Sequence, residues 1–330
     1  MASRIVGIEI GTDTLKLAEI RGGKVNKMVV ARMPDNLVRE GRVTAHTEMI
    51  GLLKSLMKEN KIRGGICALA LPPQIVVSLR VTLPVMSEAE LKLNLPFEFR
   101  DYVGRDGEEY DYDYIVMNVT DGVMELYASA VRRATMESYY AIFKKAGLTL
   151  KMAMPAELAW MNLLTHNKNV PEKLCVVDMG HHTTRVNIYE NGVFAMGKDI
   201  EYAGQLIDEV IAAETNVDPH VARTHKEANL NKILSSEFLQ QPYGAIAIEV
   251  MKIVMFYNST LPEGAQPLKD LYYCGGVAAI EPLRTALVKA TNLTPHHVER
   301  LLGTQESDSG HALKCGLAAG AAMQKLERKG

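Results

Sequence analysis

The stretch that decides the fold is VGIEIGTDTLKLAEIRGGK, from Val6 to Lys24. An apolar strand ends near an acid, Glu9, and a glycine, two threonines and a lysine follow before a Gly-Gly turn. Glycine lets the backbone approach a ligand, and amides, hydroxyls and an ammonium group all donate to phosphate oxygens. The carboxylate of Glu9 suits a magnesium ion bound through its water shell. The pattern predicts a hairpin that binds phosphate through Gly11, Thr12, Thr14 and Lys16.

The same pattern occurs a second time, in VVDMGHHTTRVNIYENG from Val176 to Gly192. A single copy could equally well be an ordinary surface hairpin with a glycine near an acid. Two copies about half a chain apart predict a duplicated α/β fold, in which two hairpins face each other across a cleft and hold one polyphosphate. With Gly180 set under Gly11, the matched pairs are Asp178 with Glu9, Thr183 with Thr14, Arg185 with Lys16, and Gly192 with Gly23.

Composition agrees with a folded protein of two α/β lobes. The 330 residues are 47% hydrophobic and 23% charged, and a chain of this length can bury two cores. A formal net charge of −2 provides no basic field for nucleic acid. No signal peptide or spanning stretch of roughly 18 apolar residues is found, so we expect a cytoplasmic protein that reaches the membrane only through partners. Scattered cysteines favour reduced thiols; they are Cys67, Cys175, Cys274 and Cys315.

A change in composition predicts a small α/β subdomain inserted into the first lobe, from Pro84 to Lys151. Ser87 and Glu90 form a capping box, which opens a helix through about Phe99 that Pro96 should kink or end early. The acidic, tyrosine-rich segment from Asp106 to Tyr114 is either a solvated loop entering a strand or a docking surface for a basic partner.

Three further features leave alternatives open. Glu157, in the first turn of a predicted helix, is explained by the helix dipole alone, or it orients a water against a nucleotide. Gly275 and Gly276 end the strand LYYCGG, where they either let a flat ligand lie on the backbone or serve tight packing. His181 and His182, adjacent on an extended turn, should point apart, and no third nitrogen or sulfur ligand is near in sequence, which argues against zinc.

Two phosphate hairpins and a late Gly-Gly strand, in a duplicated layout, resemble the actin-like ATPase superfamily, which includes actin, heat-shock chaperones, sugar kinases and FtsA. Within it, four segments most resemble the PilM family of type IV pilus assembly: VGIEIGTDTLKLAEIRGGKV, LPVMSEAELKLNLPFEFRDYV, AGLTLKMAMPAELAWMNLL and VVDMGHHTTRVNIYENG. The resemblance covers the whole chain.

The resemblance implies an actin-like (ribonuclease H-like) fold with two lobes. Residues 1–83 and 152–172 would form the first lobe, and 84–151 the inserted subdomain of the FtsA and PilM type. Residues 173–330 would form the second lobe, with a subdomain at about 203–268 and a closing helix that starts at Ser309.

A site for ATP and magnesium is also implied by the resemblance. Glu9 and Asp178 would face the metal, Glu157 the attacking water, and Gly275 with Gly276 the adenosine. The other residues implied to bind the nucleotide line the phosphates or border the nucleoside; they are Gly11, Thr12, Asp13, Thr14, Lys16, Gly180, His181, His182, Thr183, Gly204 and Lys226.

The chain departs from the family pattern at several site positions. Glu9 stands where most relatives have aspartate, and Arg185 where a small or acidic residue is usual. His181 and His182 replace small residues and can crowd the phosphates. Ala203 and Gln205 replace a glycine and an aspartate around Gly204. These departures predict that hydrolysis is weak or absent.

The function implied by the resemblance is a scaffold at the inner face of the cytoplasmic membrane. It would bind ATP and dock the amino-terminal tail of a PilN-like membrane protein in a groove between the first lobe and the inserted subdomain. Motor ATPases of the pilus and a second copy of the chain are further partners to consider. The alternatives are an active ATPase or small-molecule kinase, although no catalytic base and polar substrate pocket are evident, or an FtsA-like filament-forming protein, although the terminal MQKLERKG lacks an amphipathic tail.

Overall fold

The computed structural model describes residues 4–34, 36–104, 107–167, 169–303 and 309–323. Asp106 and all of the terminal MQKLERKG except Met323 therefore lie outside the described residues. The described chain forms two compact units: unit 1 runs to Asn162 and resumes at Leu317, and unit 2 runs from Leu163 to Gly316.

Unit 1 begins with an antiparallel meander of three strands, β1 (Arg4–Ile10), β2 (Thr14–Arg21) and β3 (Lys24–Arg32). Gly22 and Gly23 join the last two strands with φ of 56° and 77°, a conformation that costs glycine little. A short ribbon follows, made of β4 (Val38–Arg39) and β5 (Arg42–Val43). Helix α1 (His46–Glu59) then leads to β6 (Gly65–Ala70), which pairs in parallel with β1.

A separate three-stranded sheet lies within unit 1. It is made of β7 (Val76–Pro84), β8 (Tyr110–Thr120) and β9 (Val123–Arg132), in the order β7-β9-β8, and helix α2 (Glu88–Phe99) packs on it. The capping box of Ser87 and Glu90 is present, with both of its hydrogen bonds. Pro96 lies inside α2, which continues to Phe99, the end predicted from the sequence, and does not stop early at the proline. Proline removes only one backbone bond there, and Leu95 and Phe99 are buried on either side of it.

Helix α3 (Arg133–Lys145) and strand β10 (Leu148–Met154) return the chain to the first sheet, whose order is β10-β6-β1-β2-β3. The core of this part contains side chains of α1, α3 and the sheet, among them Leu53, Phe143 and Ile8. The predicted subdomain limits at 84 and 151 stay a prediction. Strand β7 begins the three-stranded sheet, and β10 belongs to the five-stranded one.

Unit 2 repeats the topology of the first sheet. Helix α4 (Ala156–His166) crosses the division between the units and is followed by the meander β11 (Lys173–Met179), β12 (Thr184–Glu190) and β13 (Val193–Ile200). The remaining elements of the unit's sheet and its larger helices are α5 (Gly204–Thr215), α6 (Pro219–Glu227), α7 (Gln240–Thr260), β14 (Asp270–Cys274), α8 (Glu281–Thr291) and β15 (Thr294–His297).

The strand order of unit 2 is β13-β12-β11-β14-β15, which matches the first sheet strand for strand. Strand β14 runs parallel to β11 as β6 does to β1, and β15 runs parallel to β14 as β10 does to β6. Asn191 and Gly192 close the second hairpin with φ of 51° and 77°, close to the values at Gly22 and Gly23. The duplicated α/β fold predicted from the two hairpins is confirmed.

The sequence predicted one closing helix that starts at Ser309, but the carboxyl-terminal part is divided into shorter helices. It forms α9 (Glu299–Leu302), α10 (Ser309–Ala312) and, after a turn, α11 (Gly316–Ala322). Within unit 1, α11 packs closely on α4, because a Cβ at Gly320 would overlap the carbonyl oxygen of Ala159. The helix assigned to the second lobe therefore packs in unit 1.

None of the helices in the described part of the chain has the length and apolar character needed to cross a membrane. All four cysteines are buried and carry free thiols.

Candidate functional site

The first candidate loop, residues 11–13, joins β1 to β2 and is called loop 1. The amide of Gly11 donates to the carbonyl oxygen of Thr14 at 3.0 Å, which closes the turn. A Cβ at Gly11 would lie only 3.0 Å from that same oxygen, so the tightness of the turn accounts for glycine here. Thr12 is exposed, while Asp13 and Thr14 are half-buried.

Glu9 and Lys16 are direct cross-strand partners at the start of loop 1. The ammonium group of Lys16 donates to Oε1 of Glu9, and the two side chains are 12% and 14% exposed. Lys16 is therefore fixed at the loop by a carboxylate, and a phosphate would share its positive charge with Glu9. A carboxylate with hydroxyls nearby fits magnesium, which takes oxygen ligands and keeps several waters.

The second candidate loop, residues 180–183, repeats this geometry in unit 2 and is called loop 2. The amide of Gly180 donates to the carbonyl oxygen of Thr183 at 3.0 Å, the bond that Gly11 makes in loop 1. Asp178 is the cross-strand partner of Arg185, as Glu9 is of Lys16. The alignment of the two hairpins from sequence is thus reproduced in both strand register and loop closure.

Arg185 differs from its counterpart Lys16 in the partner that it binds. Its guanidinium makes two hydrogen bonds of 2.6 Å, one to each carboxylate oxygen of Asp199 on β13. This paired geometry holds the side chain of Arg185, which lies on β12, against the neighbouring strand β13.

The start of α5 holds loop 2 through its backbone. The amide of Gly204 donates to the carbonyl of Gly180 at 3.1 Å, and that of Gln205 donates to the carbonyl of His181 at 2.7 Å. A Cβ at Gly204 would lie 2.7 Å from Cγ1 of Val277, so close packing accounts for this glycine. The amide of Gly204, a residue predicted to bind the nucleotide, thus binds loop 2.

His181 and His182 do not point apart, so that expectation is wrong. Their ring centres are 4.5 Å apart with an angle of 79° between the ring planes. The reason lies on α5, where Asp208 Oδ2 is 3.5 Å from Nδ1 of His181 and Gln205 Oε1 is 2.8 Å from Nδ1 of His182. Because these two residues are three positions apart on one helix, they draw both rings to the same side.

Lys226 and Asp208 form a buried ion pair behind loop 2. Lys226 Nζ lies 2.6 Å from Asp208 Oδ1 and donates to the carbonyl of Gly204 at 3.0 Å. Burial raises the pKa of Asp208 and lowers the pKa of Lys226, and the charge of each partner opposes these shifts. Lys226, predicted to border the nucleoside, has its ammonium group within this network. Sequence reasoning missed Asp208, although an acid between Ile207 and Ile211 on the buried face of α5 was a signal for a polar network.

Gly275 and Gly276 follow β14 and differ in what surrounds them. Gly275 is buried at φ +100°, and a Cβ there would overlap the carbonyl of Met179 and lie 2.6 Å from Oδ1 of Asp178. Gly276 is exposed, and a Cβ there would meet no atom within 4 Å. Tight packing thus accounts for Gly275 and leaves Gly276 as an open position. In unit 1, Glu157 is half-buried in the first turn of α4.

Two matched loops on duplicated five-stranded sheets define a protein of the actin-like class. The model of the family "Type IV pilus assembly protein PilM" matches residues 7–318, and the chain belongs to that family. No curated protein matches the chain.

Three solved structures share the fold at low sequence identity. The first, a PilM-PilN type IV pilus biogenesis complex, has a TM-score of 0.83 at 20% identity and covers 97% of both chains. Ethanolamine utilization protein EutJ from Carboxydothermus hydrogenoformans has a TM-score of 0.63 at 17% identity, covering 97% of this chain and 89% of its own. MreB5 of Spiroplasma citri bound to ADP has a TM-score of 0.51 at 12% identity, covering 96% and 94%.

Proposed function

We propose that this chain is an ATP-binding scaffold of type IV pilus assembly that docks the amino-terminal cytoplasmic tail of a PilN-like inner-membrane protein. The observation that carries the proposal is the matched geometry of loops 1 and 2 in a chain of the PilM family. Two of the similar structures support the proposal. One is a complex of PilM with PilN, and the other is MreB5 bound to ADP.

Each unit supplies its own set of nucleotide ligands in this proposal. Glu9 and Asp178 bind magnesium through water, and the exposed Gly276 contacts the adenosine together with the Gly275 turn. Glu157 is the proposed residue for orienting a water. The phosphates are bound by Gly11, Thr12, Asp13, Thr14 and Lys16 of unit 1 and by Gly180, His181, His182 and Thr183 of unit 2. Gly204 and Lys226 act indirectly, because both bind the segments that hold loop 2.

Hydrolysis is proposed to be weak or absent. Magnesium supplies charge neutralisation at the phosphates when it is bound. The chain places two bulky imidazoles in loop 2, and the charge of Lys16 is already shared with Glu9. Both features favour binding without rapid turnover, so the nucleotide serves as a structural ligand.

A cavity in unit 1 is the proposed docking site for the tail, and its lining belongs to the predicted inserted subdomain alone, whereas the resemblance implies a groove between that subdomain and the first lobe. It has a volume of about 610 Å³ and lies between the end of α2 and the start of β8. Arg132 lies 5.9 Å from the ring centre of Tyr110 and pairs with Glu108, so one wall of the cavity is fixed by charge and an aromatic face. The lining combines charged and aromatic groups suited to a peptide: Pro96, Arg100, Asp101, Val103, Gly104, Glu108, Tyr110 and Tyr112.

Such a scaffold would join the membrane protein to motor ATPases of the pilus, and self-association of the chain is compatible with that role. The main test is calorimetric titration with magnesium-ATP, with and without the tail peptide. We expect ATP binding and tighter binding of the peptide when ATP is present. Turnover should stay well below about 1 per second, since kinases ordinarily reach that rate.

Matched variants locate the two sites. Lys16→Ala and Asp178→Ala should weaken ATP binding, whereas Lys24→Ala, an exposed lysine on the same meander, should not. Tyr112→Ala should weaken binding of the tail peptide, and a peptide of scrambled sequence should not bind. ATP affinity that is equal in all three charge variants would refute the nucleotide site. A chain that binds ATP but not the peptide would refute the docking role.

A further inference from the structure

We propose that one edge of the five-stranded sheet of unit 1, called the basic edge, binds an anionic membrane surface. The basic edge is where β1, β3, β6 and β10 begin and where β2 ends. Loop 1 lies at the opposite end of β1, about 20 Å away for a strand of seven residues. The proposed docking of a membrane protein's tail would bring the chain to the membrane, and lipid binding by this edge goes beyond that docking.

Strand register and close backbone contacts bring separate segments together at the basic edge. Arg4 is the cross-strand partner of Arg21, and Arg21 is the partner of Lys24 across the Gly-Gly turn. The guanidinium of Arg4 donates to the carbonyl of Gly64 at 2.6 Å. A Cβ at Gly64 would lie 2.3 Å from the carbonyl oxygen of Gly147, so the residues before β6 and those after α3 are also in contact. The four segments therefore form one surface of unit 1.

The basic edge carries a strong local excess of positive charge. Its segments are residues 19–27, 58–65 and 144–148 together with the start of β1, and the two acids in them are Glu19 and Glu59. Glu19 is fully buried and pairs with Arg21 at 3.1 Å, so little of its charge reaches solvent. The formal net charge of −2 for the whole chain conceals this excess. The nine cations of the basic edge are Arg4, Arg21, Lys24, Lys27, Lys58, Lys61, Arg63, Lys144 and Lys145.

Most of these cations are available to an external partner. Among the residues that the structure describes, six of them are exposed and have neither an ion pair nor a side-chain hydrogen bond. They are Lys24, Lys58, Lys61, Arg63, Lys144 and Lys145. Three of the six lie in the last turns of α1 and α3, where the helix dipole alone accounts for a cation. The other three lie outside helices, and the helix dipole does not explain them.

The way in which the charge is spread favours a membrane. Five strands about 4.8 Å apart make the basic edge roughly 19 Å wide, which is too wide for one small anion to contact every cation. Anionic lipids present a plane of negative charge, and clusters of about four to eight Lys and Arg residues bind to it. Single-stranded nucleic acid would call for aromatic side chains on which bases stack, and the segments of the basic edge contain none. Duplex DNA is read by a helix or ribbon that enters a groove, whereas this edge consists of strand ends and turns.

Co-sedimentation with lipid vesicles tests the basic edge. The purified full-length chain is used without an affinity tag, nucleotide or tail peptide. The vesicles contain either phosphatidylglycerol with phosphatidylethanolamine or phosphatidylcholine alone. We expect binding to the anionic vesicles only, and its loss at about 1 M salt, where the Debye length is about 3 Å. The triple variant Lys24→Ala, Arg63→Ala, Lys145→Ala should bind about 100-fold more weakly, since each charge near the surface contributes about 5-fold.

A matched triple variant removes the same number of charges elsewhere in unit 1. It combines Arg39→Ala and Arg42→Ala on the β4–β5 ribbon with Lys92→Ala on α2, all three exposed. This control should bind the vesicles as the wild type does. Both triple variants should keep the fold, measured by circular dichroism. The edge variant should also bind magnesium-ATP and the tail peptide like the wild type, so a failure of lipid binding is distinguishable from a failure of the proposed function.

Three results would overturn the role of the basic edge. The first is a wild-type chain that does not bind anionic vesicles, and the second is equal vesicle binding by the edge variant and its matched control. The third is tighter binding of duplex DNA than of anionic vesicles, lost in the edge variant, which would assign the edge to nucleic acid.

Discussion

Lys226 Nζ lies 2.6 Å from Asp208 Oδ1, and the two side chains are 8% and 4% exposed. This pair joins α6 to α5 behind loop 2, and Lys226 also reaches the carbonyl of Gly204. Replacing one member leaves the other charge buried without its partner. Lys226→Met should therefore lower the free energy of unfolding by about 3–5 kcal/mol, measured by urea denaturation.

The double variant Lys226→Met with Asp208→Leu is the control for this pair. Because it removes both charges together, it should be markedly more stable than Lys226→Met alone. If the double variant were the less stable of the two, the cost would come from lost packing and the buried charge would not be its cause.

Gly275 and Gly276 offer a matched comparison at the end of β14. Gly275→Ala must force a Cβ against Met179 and Asp178 at φ +100°, so it should cost about 2 kcal/mol or more. Gly276→Ala places a Cβ in open space and should change stability by less than about 1 kcal/mol. Thermal unfolding of both variants tests this, and an equal loss of stability in the two would contradict the tight packing around Gly275.

Arg185 and Lys16 occupy matched positions but should affect ATP differently. Arg185 is bound by both oxygens of Asp199, whereas Lys16 is held at the start of loop 1 by Glu9. If the proposed nucleotide site is correct, Lys16→Ala should reduce ATP affinity by about 10-fold or more. This loss corresponds to the binding free energy that a hydrogen bond to a charged group contributes. Arg185→Ala should change it by less than about 2-fold, because its side chain is engaged on β13. If calorimetry showed a larger loss of ATP affinity in Arg185→Ala, Arg185 would have to bind the phosphates.

The duplicated fold was predictable because its signal is local. The glycine, the acid and the Gly-Gly or Asn-Gly turn lie close together in sequence, and the same pattern of residue types recurs in the second copy. Strand register then follows from turn geometry, which explains why Asp178 faces Arg185 as Glu9 faces Lys16.

Features that depend on distant residues were not predictable in this way. The rings of His181 and His182 take their direction from α5, more than twenty positions along the chain. The close packing of Gly320 of α11 on Ala159 of α4 is likewise a contact that no local pattern reveals. Lys226 has the residue type of a phosphate ligand, and only the buried Asp208 shows why its ammonium group belongs to a network within the protein.

The buried thiols lead to a prediction about chemical reactivity. Burial raises the pKa of Cys67 to about 12 and also raises the pKa of Cys175. At pH 8 a thiol with a pKa of 12 is about one part in ten thousand thiolate, and the thiolate is the nucleophile. Native protein should therefore resist alkylation by iodoacetamide at pH 8, while all four cysteines react in urea, where the pKa returns to about 8.5. Intact mass measured over time distinguishes the two states, and rapid addition of one label to the folded chain would show that one of these thiols is reached without unfolding.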